Sequence, residues 1–298
     1  MIEIVQTRGY AIDKHFVTTD DGYVLTMFRI PNASGKPVLL QHGLLDSSYT
    51  WVNNYRDESL GYILADKGFD VWFGNNRGNR YGRNHTSLNP DDKSSGFWDF
   101  TWDEMALFDA PAMINYVMDT TESSTVSWVG HSEGTIQMFA AASSLEVLKD
   151  NAKFQRALSA VNLFVALAPV TYAYNVRSKL MKVLASTDIP QKMYDRGYVE
   201  FLPGAMESVS PEVCQAIEKG CDFFLMTICG PSNNLNTSRI QVYISQTPAG
   251  TSTRNMLHWQ QGMLVNNFQR FDFGSKTENQ NHYGSDVPPL YDLSKLAV

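Results

Sequence analysis

The stretch that decides the fold is TVSWVGHSEGTIQMFAAASSLEVL, residues 125–148. Its opening, TVSWVGHS, is a short apolar run with β-branched and aromatic residues, as a buried strand requires. The rest, EGTIQMFAAASSLEVL, carries helix formers with apolar residues at helical spacing. Ser132 stands at the junction, with Gly130 and Gly134 two residues to either side. A strand that turns straight into a helix needs room where a Cβ would collide with neighbouring backbone, and glycine supplies it. The serine then projects above the sheet, beside the free N–H groups and the positive end of the helix. In this strand–helix context, G-x-S-x-G predicts a nucleophile at Ser132, with the Glu133 N–H facing an oxyanion.

Outward from this junction the chain alternates. PVLLQHG (residues 37–43), FDVWFGN (69–75) and NLFVALAPV (162–170) read as further buried strands. LGYILADKG (60–68) reads as a helix with a glycine stop, and DEMALFDAPAMINYVM (103–118) has helical periodicity interrupted by Pro111. Strands apolar on both faces, separated by helices, imply a mostly parallel sheet covered on both sides, an α/β fold. Before it, HFVTTDDGYVLTMFRIP has two β-rich runs around Asp20-Asp21-Gly22, a hairpin signal. After Pro169 the alternation stops. Residues 171–289 read as mostly helical, a lid over a core of residues 1–170, with QVYISQTPAGTS as a short extended element. A second oxyanion donor is expected from the loop after an earlier strand. QHGLLDSS (41–48) supplies it as the Leu44 N–H, with His42 and His131 reading as structural.

Composition excludes several functions. The chain has 298 residues, 43% of them hydrophobic, and a formal charge of −7 with no basic block. Nucleic-acid binding needs clustered cations to displace counterions, so no nucleic-acid partner is expected. No apolar run approaches the roughly 18 residues of a membrane span. No signal peptide is visible at MIEIVQTRGY, yet acceptor sequons occur at Asn32, Asn84 and Asn236. Cys214, Cys221 and Cys229 have no zinc spacing, and no metal or organic cofactor is implied. Buried thiols, or one local disulfide plus a free thiol, are both open. A straight helix would hold residues 214 and 221 two turns apart, too far to bridge, unless Gly220 breaks it.

Long blocks extend the pentapeptide. GYAIDKHFVTTDDGYVLTMFRIP, LLQHGLLDSSYTW, VWFGNNRGN, FWDFTWDEMALFDAPAMI, GHSEGT and NTSRIQVYISQTPAGTSTRNMLHWQQ cover nearly the whole chain. Through them the chain resembles the acid lipase family of α/β-hydrolases, which includes gastric and lysosomal acid lipases. The resemblance implies a serine ester hydrolase acting on neutral lipid esters, triacylglycerol or cholesteryl ester, at a lipid–water interface. It also implies a secreted or lysosomal location. Lid residues Phe201, Met206, Phe223, Phe224, Leu225, Met226, Met256 and Met263 are candidates for an acyl tunnel or for packing within the lid.

The departures from the family pattern matter as much. The family usually has Gln after the nucleophile, and here it is Glu133. A carboxylate there disfavours the oxyanion unless it turns away or is protonated. Cys214 and Cys221 lie where a lid disulfide is implied, at a spacing that departs from the family's. The triad order in this fold is Ser, Asp, His. The resemblance implies an Asp and His beyond PPLYDLSKLAV, with residues 290–298 opening the strand that leads to them, so neither charge-relay partner is found in this chain. After Ser132 only His258 and His282 remain, with Asp286 near the latter, and a rebuilt triad from these is disfavoured. A catalytically inactive product that retains lipid binding is therefore the rival reading. An uncovered sheet edge, with poor solubility, is expected as well.

Overall fold

The computed structural model describes residues 1–202, 234 and 236–296. In chain order its first elements are α1 (Ile2–Thr7), β1 (Asp13–Thr18), β2 (Val24–Ile30), β3 (Pro37–Gln41), α2 (Leu60–Asp66) and β4 (Asp70–Phe73). Then come α3 (Trp102–Glu104), α4 (Ala110–Thr121), β5 (Val126–His131), α5 (Glu133–Ser143), α6 (Ala152–Ser159) and β6 (Val161–Leu167). The six strands form one sheet in the order β1-β2-β4-β3-β5-β6. β3 to β6 are parallel, while β1 and β2 form an antiparallel hairpin joined to β4.

Strand side chains alternate between faces, and that alternation builds two cores. Leu39, Trp72 and Trp128 enter one core with Met113 and Ile114 of α4, Ile136 of α5 and Phe154 of α6. Val38, Leu40, Val71, Phe73 and Val129 enter the other, with Val5 of α1 and Tyr62 of α2. Every residue of β3 and β4 is buried, as strands covered on both faces must be. The fold is the α/β architecture that the apolar runs imply.

Several local expectations give way to specific contacts. Pro111 does not break a helix. A π-turn at Met105–Asp109 precedes α4, and the proline falls in α4's first turn, where no N–H is needed. α5 stops at Ser143, short of residue 148, where the Ser144 N–H donates to the Ala141 carbonyl at 3.0 Å and closes the helix with a tighter turn. The run over 162–170 is no fully buried strand. β6 has only β5 beside it among the described residues, and Leu163 is 55% exposed. α6, capped by the Asn151 side chain on the Phe154 N–H, had no counterpart in the sequence reading.

Beyond residue 170, helix Thr253–Leu264 packs against helices Lys179–Ala185 and Ile189–Asp195. The expected extended element over QVYISQTPAGTS is divided. Ile240–Ile244 is helical, and only β8 (Thr251–Ser252) is extended, pairing with β7 (Glu200–Phe201). No strand opens in residues 290–296. The Asp292 carboxylate accepts from the Ser294 N–H and hydroxyl, and folds Leu293–Lys295 into a 3-10 turn. Among the described residues no helix is long and apolar enough to cross a membrane. Cys214, Cys221, Cys229, Met206, Phe223, Phe224, Leu225 and Met226 lie outside the described residues.

Candidate active site

β5 ends at His131 and α5 begins at Glu133, so Ser132 alone makes the turn, at φ 51° and ψ −114°. A positive φ at a serine stores strain, and the surroundings must hold it. The Ser132 N–H donates to the Leu167 carbonyl at 3.0 Å. Its own carbonyl accepts from the Thr135 N–H at 2.9 Å and hydroxyl at 2.6 Å. A Cβ on Gly130 would strike the Gly134 carbonyl, and one on Gly134 would come within 2.5 Å of the Gln41 carbonyl. One on Gly43 would lie 2.9 Å from the Ser132 Cβ. These three glycines let β5, α5 and the loop after β3 converge on the serine, which is half-buried.

His42 shapes that loop from beneath. It is fully buried, and its Nδ1 bonds the Gly43 carbonyl at 2.8 Å. Its Nε2 accepts from the Asn76 N–H at 3.2 Å and the Asn79 amide at 3.0 Å. This pattern fixes a neutral ring with the proton on Nδ1. Burial pushes its pKa down to about 4, against the pull of the Gly43 carbonyl. In a trans peptide the N–H points opposite to the C=O. Holding the Gly43 carbonyl on His42 therefore aims the Leu44 N–H away from the imidazole. The next residues are tied down separately. Leu45, at φ 57°, accepts from the Ala249 N–H at 2.7 Å, and the Asp46 carboxyl accepts from the Thr247 hydroxyl at 3.1 Å.

The loop carrying Asn76 and Asn79 is itself anchored. Arg77 is fully buried, bonded to Asp21 at 2.6 and 2.9 Å and to Asp109 at 2.8 and 2.7 Å, with Tyr23's ring 3.9 Å away. The sequence reading had VWFGNNRGN only as a block of resemblance. Three Asn residues and an Arg between and beside Gly74 and Gly78 were the available signal, but several of their partners lie in other segments.

Glu133 answers the concern about a carboxylate beside an oxyanion. Its side chain turns away from the turn and inward. There Oε1 accepts from Trp259 Nε1 at 2.7 Å and from Asn255 Nδ2 at 2.8 Å. Burial raises its pKa above the ordinary carboxyl value, and the two N–H donors oppose the rise. Neither donor was singled out in the sequence.

No histidine of the six is hydrogen-bonded to Ser132. His131 is half-buried, with its ring edge-on to Trp51. His258 is fully buried, stacked on Trp102 at 3.9 Å, with Nε2 on the Gln269 carbonyl at 3.0 Å. His282 stacks on Phe273 at 3.6 Å, and Asp286 pairs with Lys276 at 3.3 Å. The structure does not bring these together as a triad. Among the sequons, the Asn32 amide donates to the Gly68 carbonyl and the Asn236 amide to Glu58, while Asn84 is exposed. Met263 is buried and Phe201 lies in β7.

Comparison with known proteins agrees with this geometry. Residues 1–55 match the family described as a partial alpha/beta-hydrolase lipase region, and residues 36–205 match the alpha/beta hydrolase fold. The chain is 37% identical to lipase member K of Mus musculus, over 99% of this chain and 75% of that protein. It is 39% identical to the lysosomal acid lipase/cholesteryl ester hydrolase of Macaca fascicularis, over 99% and 74%. It is 38% identical to gastric triacylglycerol lipase of Homo sapiens, over 99% and 75%. The chain thus belongs to the acid lipase family of α/β-hydrolases, a family of carboxylic ester hydrolases.

Proposed function

We propose that Ser132 attacks the carbonyl carbon of a neutral lipid ester, triacylglycerol or cholesteryl ester, and forms an acyl-enzyme that water then cleaves. The observation that carries this reading is the convergence at Ser132. A strained serine between strand and helix is flanked by the Glu133 N–H, the first of α5, and by a loop whose Gly43 carbonyl is held on His42. The N–H groups of Glu133 and Leu44 are assigned to the oxyanion. The first carbonyl oxygen becomes the oxyanion as the serine's oxygen bonds to carbon. The alcohol then leaves with a proton, and a water repeats the sequence to release the acid. Ser132's proton acceptor and its carboxylate partner are assigned to no described residue, since His258 and His282 are bonded elsewhere.

The placement of His258 and His282, each bonded elsewhere, favours a second reading, a catalytically inactive chain that retains lipid binding. Hydrolysis of a short-chain and a long-chain chromogenic ester by this chain, beside Ser132→Ala, separates the two. Loss of activity in the variant is expected on the first reading. Equal rates would sink it and leave lipid binding as the property to measure.

A further inference from the structure

Glu133 is an unusual place for a carboxyl. It follows the serine directly, its backbone N–H is the first of α5, and its side chain is 1% exposed. Among the described residues no cation partners it. Both of its described donors, Trp259 and Asn255, sit on helix Thr253–Leu264, one turn apart. Asn255 also accepts from the Trp102 N–H at 2.8 Å through its Oδ1, so one amide joins α3, α5 and this helix. The N-terminus of the helix is fixed on the same floor, where the Ser252 hydroxyl donates to the Phe100 carbonyl at 2.5 Å. The carboxyl is thus the joint between the serine turn and a helix more than a hundred residues later in the chain.

We propose that Glu133 is a positioning residue for ester attack. Its carboxyl latches helix Thr253–Leu264 onto the serine turn, keeps Ser132 and the Glu133 N–H in place, and works best when it carries a proton. A buried carboxylate with no cation beside it is costly. The protonated group keeps Oε1 as an acceptor for both N–H donors and removes that penalty. Charged and titratable groups on the packed elements do not offset the ionised form. Asp103 bonds the Phe271 N–H and the Tyr291 hydroxyl, Glu104 caps Thr101, and Arg254 pairs with Asp99. His42 and His258 are bonded to carbonyls, and His131 is half-buried. The raised pKa of Glu133, set by burial, agrees with this arrangement.

The proposal rests on the hydrolase reading, and its test separates the two. A carboxyl whose folded pKa is raised gives stability that is full at low pH and is lost as pH rises through that pKa. Glu133→Gln keeps an acceptor oxygen and cannot ionise. Melting temperatures of the full chain and of E133Q are measured from pH 4.5 to 7.5. The difference in favour of E133Q should widen as pH rises, and a constant difference overturns the protonated latch. Chromogenic ester hydrolysis over the same range should show the E133Q-to-parent kcat ratio rising severalfold toward neutral pH. Glu133→Ala should lose kcat at every pH, with E133Q restoring it. A Glu133→Ala chain with parental kcat overturns the positioning role. If Glu133→Ala does not fold, the E133Q profiles decide. If no chain hydrolyses ester, the proposed function fails, while the melting profiles still decide the latch.

Discussion

At the scale of single residues, the site works through backbone that side chains hold in place. Gly130 and Gly134 were readable as close-approach positions because a strand–serine–helix junction leaves no space for Cβ atoms, whereas the approach of Gly43 to the Ser132 Cβ came only from the fold. His42 was read as structural, and its bonds came only from the fold: it grips the Gly43 carbonyl while Asn79 and the Asn76 N–H grip it. This chain of bonds makes a prediction. Asn79→Ala removes one of two donors to His42 Nε2 and loosens the peptide that presents the Leu44 N–H. Losing an oxyanion donor outright costs about 10²–10³ in rate, so loosening one should lower kcat by roughly tenfold, with KM little changed. Ester kinetics of the variant check it; an unchanged kcat would mean that the loop needs no help from Asn79.

At the scale of elements, strand positions were legible and helix ends were not. β3, β4 and β5 are continuous apolar runs, and burial on both faces leaves a sequence little other choice. α5 ends early in a tighter turn, with the Ser144 N–H on the Ala141 carbonyl, a local closure that periodicity does not report. Helix Thr253–Leu264 shows a further limit. His258 was disfavoured as a base, but which surface would hold it was not legible, and it lies flat on Trp102 in the core. Burial pushes its pKa down to about 3, with the Gln269 carbonyl opposing. An unfolded histidine titrates near 6.5, so stability from this neutral ring is full above that pH. It is lost as pH falls toward 3, by up to roughly 1.4 kcal/mol per pH unit. His258→Phe should therefore flatten the acid side of the stability profile, measured by melting between pH 6.5 and 3.5. Parallel profiles for parent and variant would show that the helix tolerates a charged His258.

At the scale of the whole molecule, the sheet ends at β6, which has only β5 beside it among the described residues. β6 offers its outer backbone there, with Leu163 55% exposed and Leu167 37% exposed. An open apolar edge invites pairing with another chain. Self-association is expected in sedimentation velocity, and Leu163→Lys should shift the distribution toward monomer by adding a charge to that edge. A parent chain that sediments as a clean monomer would count against this. The sequence by itself determined the alternation of strands and helices, the glycine-flanked serine between β5 and α5, and the family. Each of these is a local pattern or a run of adjacent residues, written directly in chain order. Only the tertiary structure decided that Glu133 turns inward onto Trp259 and Asn255, that His42 rests on Asn76 and Asn79, and that His258 belongs to the core. Those outcomes join residues from about thirty to more than a hundred positions apart, and a hydrogen bond across such a span leaves no periodicity in the sequence.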